Sequence, residues 1–233
     1  SWGFDLSAAC CGFVYSLSVG AQFIATGAHD KVLVIGADVM SSIINYKDRT
    51  TCVIFGDGAG AVLLEADNGE ENGFIGFHHK VEGSGGHCLY MPAGGSRKPA
   101  TVETVERNEH TVHQEGRQVF KYAVRQTYET TTTLLKRYGM ATADISLLIA
   151  HQANVRILDA TAARLGLSEE KVVKNIQKLG NTTAATIPLA LYDAVADGRI
   201  HMGDLILFSS VGAGFTAGAS LLRWSGLRED GQS

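Results

Sequence analysis

Cysteine is scarce in this sequence: there are four in 233 residues, at Cys10, Cys11, Cys52 and Cys88, and no two form a CxxC pair. That argues against a disulfide framework and a zinc site, and it fits a reducing, cytoplasmic setting in which any reactivity belongs to single thiols. Charge of one sign is also lacking. A formal net charge of -4 and a pI near 6.0 argue against a broad nucleic-acid footprint, while leaving room for a local basic patch at a pocket mouth. No apolar run reaches the roughly 20 residues that cross a membrane. The chain opens at Ser1 without a methionine, a charged n-region or a cleavage signal, and it reads as a fragment. Two of its three prolines fall between residues 68 and 115, where glycine and polar residues also gather, and this stretch reads as a long irregular excursion. With 45% hydrophobic and 19% charged residues, the rest can bury one substantial core or two modest ones.

Short apolar, β-branched runs alternate with helical stretches. "WGFDLS" predicts a strand, residues 8–27 a helix, "KVLVIGAD" a strand, and "TCVIFGDGAGAVLLEAD" two strands about a tight glycine turn. A strand is expected at "GFIGFHHKVEG", then a helix from residue 115 to Gly139. "DISLLIAHQAN" reads as strand and turn, "VRILDATAARLGL" and "TTAATIPLALYDAVADG" as helices, and "DLILFSSVGAGFTAGASLLRW" as two strands about a second glycine turn. Alternation of this kind predicts an α/β fold.

The two ends of the chain repeat one order of parts: a small-residue helix, an apolar strand, then a glycine-rich turn into another strand. Cys10 and Asn181 stand 171 positions apart (181 − 10), as do Gly27 and Gly198 (198 − 27). This register predicts two duplicated α/β halves, residues 1–114 and 115–233, each sending a helix N-terminus and a glycine hairpin to a shared centre. Chance alternation of helix and strand is the plainer alternative.

Cys10 and Cys11 fall where a strand is expected to end and a helix to begin, and the positive end of a helix favours a thiolate nucleophile. Equally, both can be small buried hydrophobes beside Ala8, Ala9 and Gly12. His151 follows the apolar "LLIA" and should emerge at a strand end, where ligands bind in open α/β sheets, with Gln152 and Asn154 fixing the turn. Asn181 reads as a helix cap, or as the partner of Cys10 across the repeat. "FGDGAGA" runs into a strand pattern rather than a helix, so it is not a dinucleotide loop. "SSVGAGFTAG" has the same form, with the option that its amides make an oxyanion hole. His110 and His113, and the pair His78 and His79, lack partners at a metal-binding spacing and read as exposed polar residues.

Taken together, "AACCGF", "DRTTCVIFGDGAGAVLL", "EGRQVFKYAVR", "AHQANVRI", "GNTTAATIPLAL" and "GAGFTAGASLL" resemble β-ketoacyl-acyl carrier protein synthase III, of the thiolase-like superfamily, in family order along the whole chain. The resemblance implies a thiolase-like layered fold of two halves and a Cys-His-Asn triad at Cys10, His151 and Asn181, with Cys11 a variable neighbour. It implies an acyltransferase that loads an acyl group from an acyl-CoA onto Cys10 and condenses it with malonyl-acyl carrier protein, initiating type II fatty-acid synthesis. Backbone N–H groups of Cys10 and Ala213 would form the oxyanion hole. Arg49 would meet CoA, and Lys121, Arg156 and Arg164 would receive the carrier protein. No metal or resident cofactor is implied, coenzyme A thioester being a substrate, and a homodimer is expected.

Ala217 stands where the family's "GFTWG" has an aromatic, and Ala213 replaces the middle glycine of its "GGGF". Family members carry further strands and helices before the position of Ser1, so the first half is expected to be incomplete at its N-terminus. Two alternatives stay open: a relative making quinolones, polyketides or esters through the same acyl-cysteine, and a non-catalytic module that only associates with a partner.

Overall fold

The computed structural model describes residues 1–66 and 72–226. Its helices are α1 (Gly12–Ala25), α2 (Val102–Glu106), α3 (Gly116–Arg137), α4 (Val155–Leu165), α5 (Ile176–Leu179) and α6 (Thr186–Ala196). Its strands are β1 (Lys31–Asp38), β2 (Gly58–Glu65), β3 (Gly73–Val81), β4 (Leu89–Tyr90), β5 (His113–Gln114), β6 (Leu147–Ala150), β7 (Leu205–Gly212) and β8 (Thr216–Arg223). β1 and β2 form an antiparallel pair, β3-β8-β7-β6 a four-stranded sheet with β6 and β7 parallel, and β4 and β5 a short ribbon.

The sequence of β7 explains the layering. A strand covered on both faces reads as a continuous apolar run, and alternate residues of "LILF" serve different cores. Leu205 and Leu207 pack with Leu134 and Leu135 of α3 and Leu158 of α4. Ile206 and Phe208 face the other way, into a core of Phe13 and Leu17 from α1, Ile187 and Leu191 from α6, and Val34 from β1. α1 and α6 therefore lie between the two sheets, with α3 and α4 outside the larger one. Each large side chain buried here, Phe13 and Phe208 among them, contributes about 1.5–3 kcal/mol relative to an exposed one.

α3 shows how one helix reads both solvent and core. Tyr122, Ala123, Gln126, Thr127, Thr130, Thr131, Leu134 and Leu135 are buried at a helical period, while Arg117, Lys121 and Arg125 stay outside. The helix ends before Gly139, whose φ of 67° is the left-handed conformation that terminates helices.

Four expectations are corrected. "WGFDLS" is not a strand: Trp2 and Phe4 stack on each other and meet Phe23 and His29 edge-on, so their rings rather than a ladder hold the segment. Residues 51–54 are turns, because Asp48 accepts hydrogen bonds from the Thr50 N–H at 2.9 Å and the Thr50 hydroxyl at 2.6 Å and winds the chain locally. Consequently no glycine hairpin forms within "TCVIFGDGAGAVLLEAD", and β2 pairs with β1 instead. Their ladder closes at Asp38 and Gly58, with residues 39–57 between them. Lastly, His79 is not an exposed polar residue: its ring lies 4.2 Å from that of Tyr15, and burial lowers its pKa.

β3 lies within residues 1–114 yet pairs with β8 of the second sheet, and so ties the two ends of the chain together. Two 3₁₀ turns, Ala9–Cys11 and Thr183–Ala185, each run into a helix and then a strand; they stand 174 positions apart (183 − 9) rather than 171, because Cys10 lies within its turn and Asn181 precedes its own. Ala217 is fully buried on β8, where its carbonyl accepts a hydrogen bond from the Tyr15 hydroxyl at 3.2 Å. Among the described residues no helix is long and apolar enough to cross a membrane.

Candidate active site

The two helix starts meet. A Cβ on Gly12 would lie 3.5 Å from the Ala184 Cβ, so the small residues around Cys10 allow the turn that carries Asn181 to approach. Cys10 sits in the 3₁₀ turn ahead of α1, after Ala9 at a φ of 48°, and its own carbonyl accepts the Ser210 hydroxyl at 2.7 Å. The end of β7 passes over its backbone: a Cβ on Gly212 would stand 2.8 Å from the Cys10 N. Only glycine leaves room there, and the next residue is Ala213, in the turn between β7 and β8.

Burial changes the electrostatics expected from a helix start. Cys10 is 7% exposed, and desolvation pushes its thiol far up, with Cys11 and Asp38 adding to the effect and a backbone N–H opposing it. The helix start that favours a thiolate thus acts here against strong desolvation. Cys11 is fully buried and pushed up to about 11 by burial, against hydrogen bonds from Thr216, Ser210 and Gly212.

His151 follows β6, and its N–H donates to the Ser209 carbonyl at 2.8 Å. Gln152 locks the turn by donating to the carbonyls of Ala150 and Val173 at 2.8 and 3.1 Å, and Asn154 caps α4 by accepting the Arg156 N–H at 2.9 Å. Burial lowers the His151 imidazole to about 4, so it is neutral at pH 7. Its Nδ1 lies 2.6 Å from the Thr186 Oγ1, and that hydroxyl donates to the Thr183 carbonyl at 2.9 Å. A hydroxyl that donates to the Thr183 carbonyl can accept from Nδ1–H, and in that tautomer Nε2 carries a lone pair.

Asn181 precedes the second 3₁₀ turn. Its Oδ1 accepts the Thr183 N–H at 2.9 Å, which leaves its NH₂ group as the free end, and its backbone bridges to Phe55.

Cys10, His151 and Asn181 line one cavity of about 650 Å³. Ile54, Phe55, Leu89, Val119, Phe120 and Phe215 supply most of its apolar wall; sequence patterns did not single these residues out as one set, which comes from four separate segments. Lys121 and Arg156 line it too, joined by Arg117, which was not anticipated. Arg49 is exposed beside Thr50, which reaches the wall. Arg164 stacks over the Tyr128 ring at 4.5 Å and is not part of the lining, since α4 turns its last turn toward α3 rather than toward the cavity. Among the described residues no three His, Cys, Asp or Glu side chains are grouped to hold a metal ion.

A thiol, an imidazole and a carboxamide, all buried, thus converge on one cavity with a largely apolar wall. Residues 4–83 match the family described as 3-oxoacyl-[acyl-carrier-protein] synthase III, and residues 135–224 match its C-terminal part. The β-ketoacyl-[acyl-carrier-protein] synthase III of Solibacter usitatus is 57% identical over 227 residues, covering 97% of this chain and 69% of that protein. The enzyme of the same name from Koribacter versatilis is 56% identical over 226 residues, covering 97% and 68%. The crystal structure of 3-oxoacyl-[acyl-carrier-protein] synthase III from Aquifex aeolicus superposes with a TM-score of 0.87 at 41% identity, covering 96% of this chain and 67% of that one. The chain belongs to the 3-oxoacyl-[acyl-carrier-protein] synthase III family, whose members are condensing acyltransferases.

Proposed function

We propose that this chain condenses an acyl-CoA primer with malonyl-acyl carrier protein, the step that starts type II fatty-acid synthesis, and that Cys10, His151 and Asn181 do the chemistry. The observation that carries the reading is their convergence on one cavity, Cys10 from the first half of the chain and the other two from the second.

In the first half-reaction the Cys10 thiol passes its proton to His151 Nε2 and its sulfur attacks the thioester carbon. The N–H groups of Cys10 and Ala213 hold the oxyanion, and CoA leaves as thiolate. A thiol kept neutral by burial therefore ionises only as substrate arrives. His151 is then an imidazolium, with Nδ1–H still on Thr186.

In the second half-reaction His151 Nε2–H and the Asn181 NH₂ donate to the thioester oxygen of malonyl-acyl carrier protein, so that loss of CO₂ leaves a stabilised enolate. The apolar wall disfavours the malonyl carboxylate but not neutral CO₂. The enolate carbon attacks the acyl-cysteine; Cys10 departs and recovers its proton from His151. Charge balances, since the carboxylate lost as CO₂ is matched by the CoA thiolate released. No resident cofactor takes part. Lys121 and Arg156 at the cavity, with Arg49 on the rim, supply cations for CoA phosphates and for an acidic carrier.

The test is intact-protein mass spectrometry after incubation with acetyl-CoA, on the wild type and on Cys10→Ser. An acetyl adduct on the wild type and none on the variant is expected. A folded wild type with no adduct, or an adduct that survives Cys10→Ser, overturns the reading.

A further inference from the structure

Asp38, the last residue of β1, acts on the Cys10 thiol only through its charge, yet its carboxylate reaches both polar members of the site through one residue. Its Oδ2 accepts the Thr183 hydroxyl and, at 3.0 Å, the Ala184 N–H. Thr183 holds a φ of 51°, a left-handed conformation that a β-branched residue rarely adopts. In that conformation its N–H donates to Asn181 Oδ1 at 2.9 Å, and its carbonyl accepts the Thr186 hydroxyl that partners His151 Nδ1. β1 is built to press on this turn, for a Cβ at Gly36 would lie 2.4 Å from the Ala184 carbonyl oxygen.

We propose that Asp38 is a positioning residue for the condensation half-reaction: by clamping Thr183 it occupies the Asn181 carbonyl oxygen and aims the Asn181 NH₂ at the enolate oxygen. The proposal rests on the reading of the site given above. The two partners depend on the clamp unequally. The Thr186 hydroxyl bonds the carbonyl three residues back, a local contact that moves with the start of α6 and keeps Thr186 beside His151, whereas Asn181 is held across the turn by the Thr183 N–H itself. Removing the clamp therefore separates the half-reactions, a pattern that general loosening of the fold does not produce.

Two rates are measured on the same protein: acetyl transfer from acetyl-CoA to Cys10, and release of CO₂ from carboxyl-labelled malonyl-acyl carrier protein. Asp38→Ala is expected to leave acetylation undiminished or faster, since loss of its charge eases ionisation of Cys10, while CO₂ release falls by at least about tenfold, as for loss of an aimed oxyanion donor. Asp38→Asn, whose single amide oxygen can accept both donors, should restore CO₂ release to within about threefold. Thr183→Val, which removes the hydroxyl from the other side, should follow Asp38→Ala and carries the test if Asp38→Ala does not fold. Undiminished CO₂ release in the folded variants, or both rates falling in step, overturns the role of Asp38 alone. A folded wild type with no adduct on Cys10 overturns the reading of the site and this proposal with it.

Discussion

His151 Nδ1 and Thr186 Oγ1 lie 2.6 Å apart in a buried pocket behind the cavity, and the Thr186 hydroxyl proton is directed onto the Thr183 carbonyl. This one contact fixes the imidazole ring and its tautomer. Thr186→Val keeps the shape but leaves Nδ1–H without an acceptor, which costs about 1–3 kcal/mol of stability and frees the tautomer. Acylation of Cys10 should fall by about 10-fold or more, general-base catalysis being worth about 10²–10⁴-fold. Thr186→Ser should recover most of it. Acetyl-CoA acylation kinetics and a urea melt of the two variants check this.

The pH dependence of stability follows from the same histidine. Its folded-state pKa is about 4, against 6.5 when unfolded, so the unfolded chain takes up the proton first as pH falls. The stabilisation from a neutral His151 is therefore complete above pH 6.5 and lost between 6.5 and about 4, by roughly 3 kcal/mol in all. His151→Gln should show a shallower loss of unfolding free energy over that window. Urea titrations of both proteins at pH 7.5 and 4.5 give the comparison; parallel pH profiles would contradict the burial of a neutral imidazole.

These two predictions rest on features of very different legibility. The run "LILF" announces β7 because a strand covered on both faces must be apolar throughout, and His151 at the end of "LLIA" follows from the rule that sites gather at strand ends. The Cys10 thiol shows the limit: a helix start is legible in "AACCGF", but the desolvation that dominates its pKa depends on β7 and the Asn181 turn closing over it. Asp38 and Thr183 are farther from legibility still, since 145 positions separate them and, although Thr183 stands in "GNTTAATIPLAL", Asp38 belongs to no motif. The one available signal was that Asp38 ends a strand. "WGFDLS" misleads because alternating aromatics look like a half-buried strand, whereas here Trp2 and Phe4 stay largely exposed and stack on one another.

Gly212→Ala tests how tightly the β7 end is fitted to the nucleophile. The added methyl would stand 2.8 Å from the Cys10 N and 3.2 Å from the Cys11 N, both backbone atoms that cannot swing aside. The turn must lift and carry Ala213 away from the oxyanion. Displacing such a donor costs on the order of 10²–10³-fold in rate, and overpacking about 1–3 kcal/mol in stability. Single-turnover acetylation of folded Gly212→Ala should be slower by about that factor. A variant that acetylates at the wild-type rate would remove Ala213 from the oxyanion hole.

Charge reversals separate the basic residues that the structure places differently. Lys121 and Arg156 line the cavity, whereas Arg164 is spent on the Tyr128 ring. Lys121→Glu and Arg156→Glu should each raise the KM for malonyl-acyl carrier protein by about tenfold, with kcat little changed, because rim charges act mainly on encounter with an acidic partner. That effect should shrink as salt shortens the Debye length from about 10 Å at 0.1 M to about 3 Å at 1 M. Arg164→Glu should leave KM within about twofold and instead lower stability by about 0.5–1 kcal/mol through the lost cation–π contact. Steady-state kinetics at two salt concentrations, with a thermal melt of each variant, decide between these outcomes. An Arg164→Glu that matches the other two would show that the carrier protein reaches α4 beyond the cavity mouth.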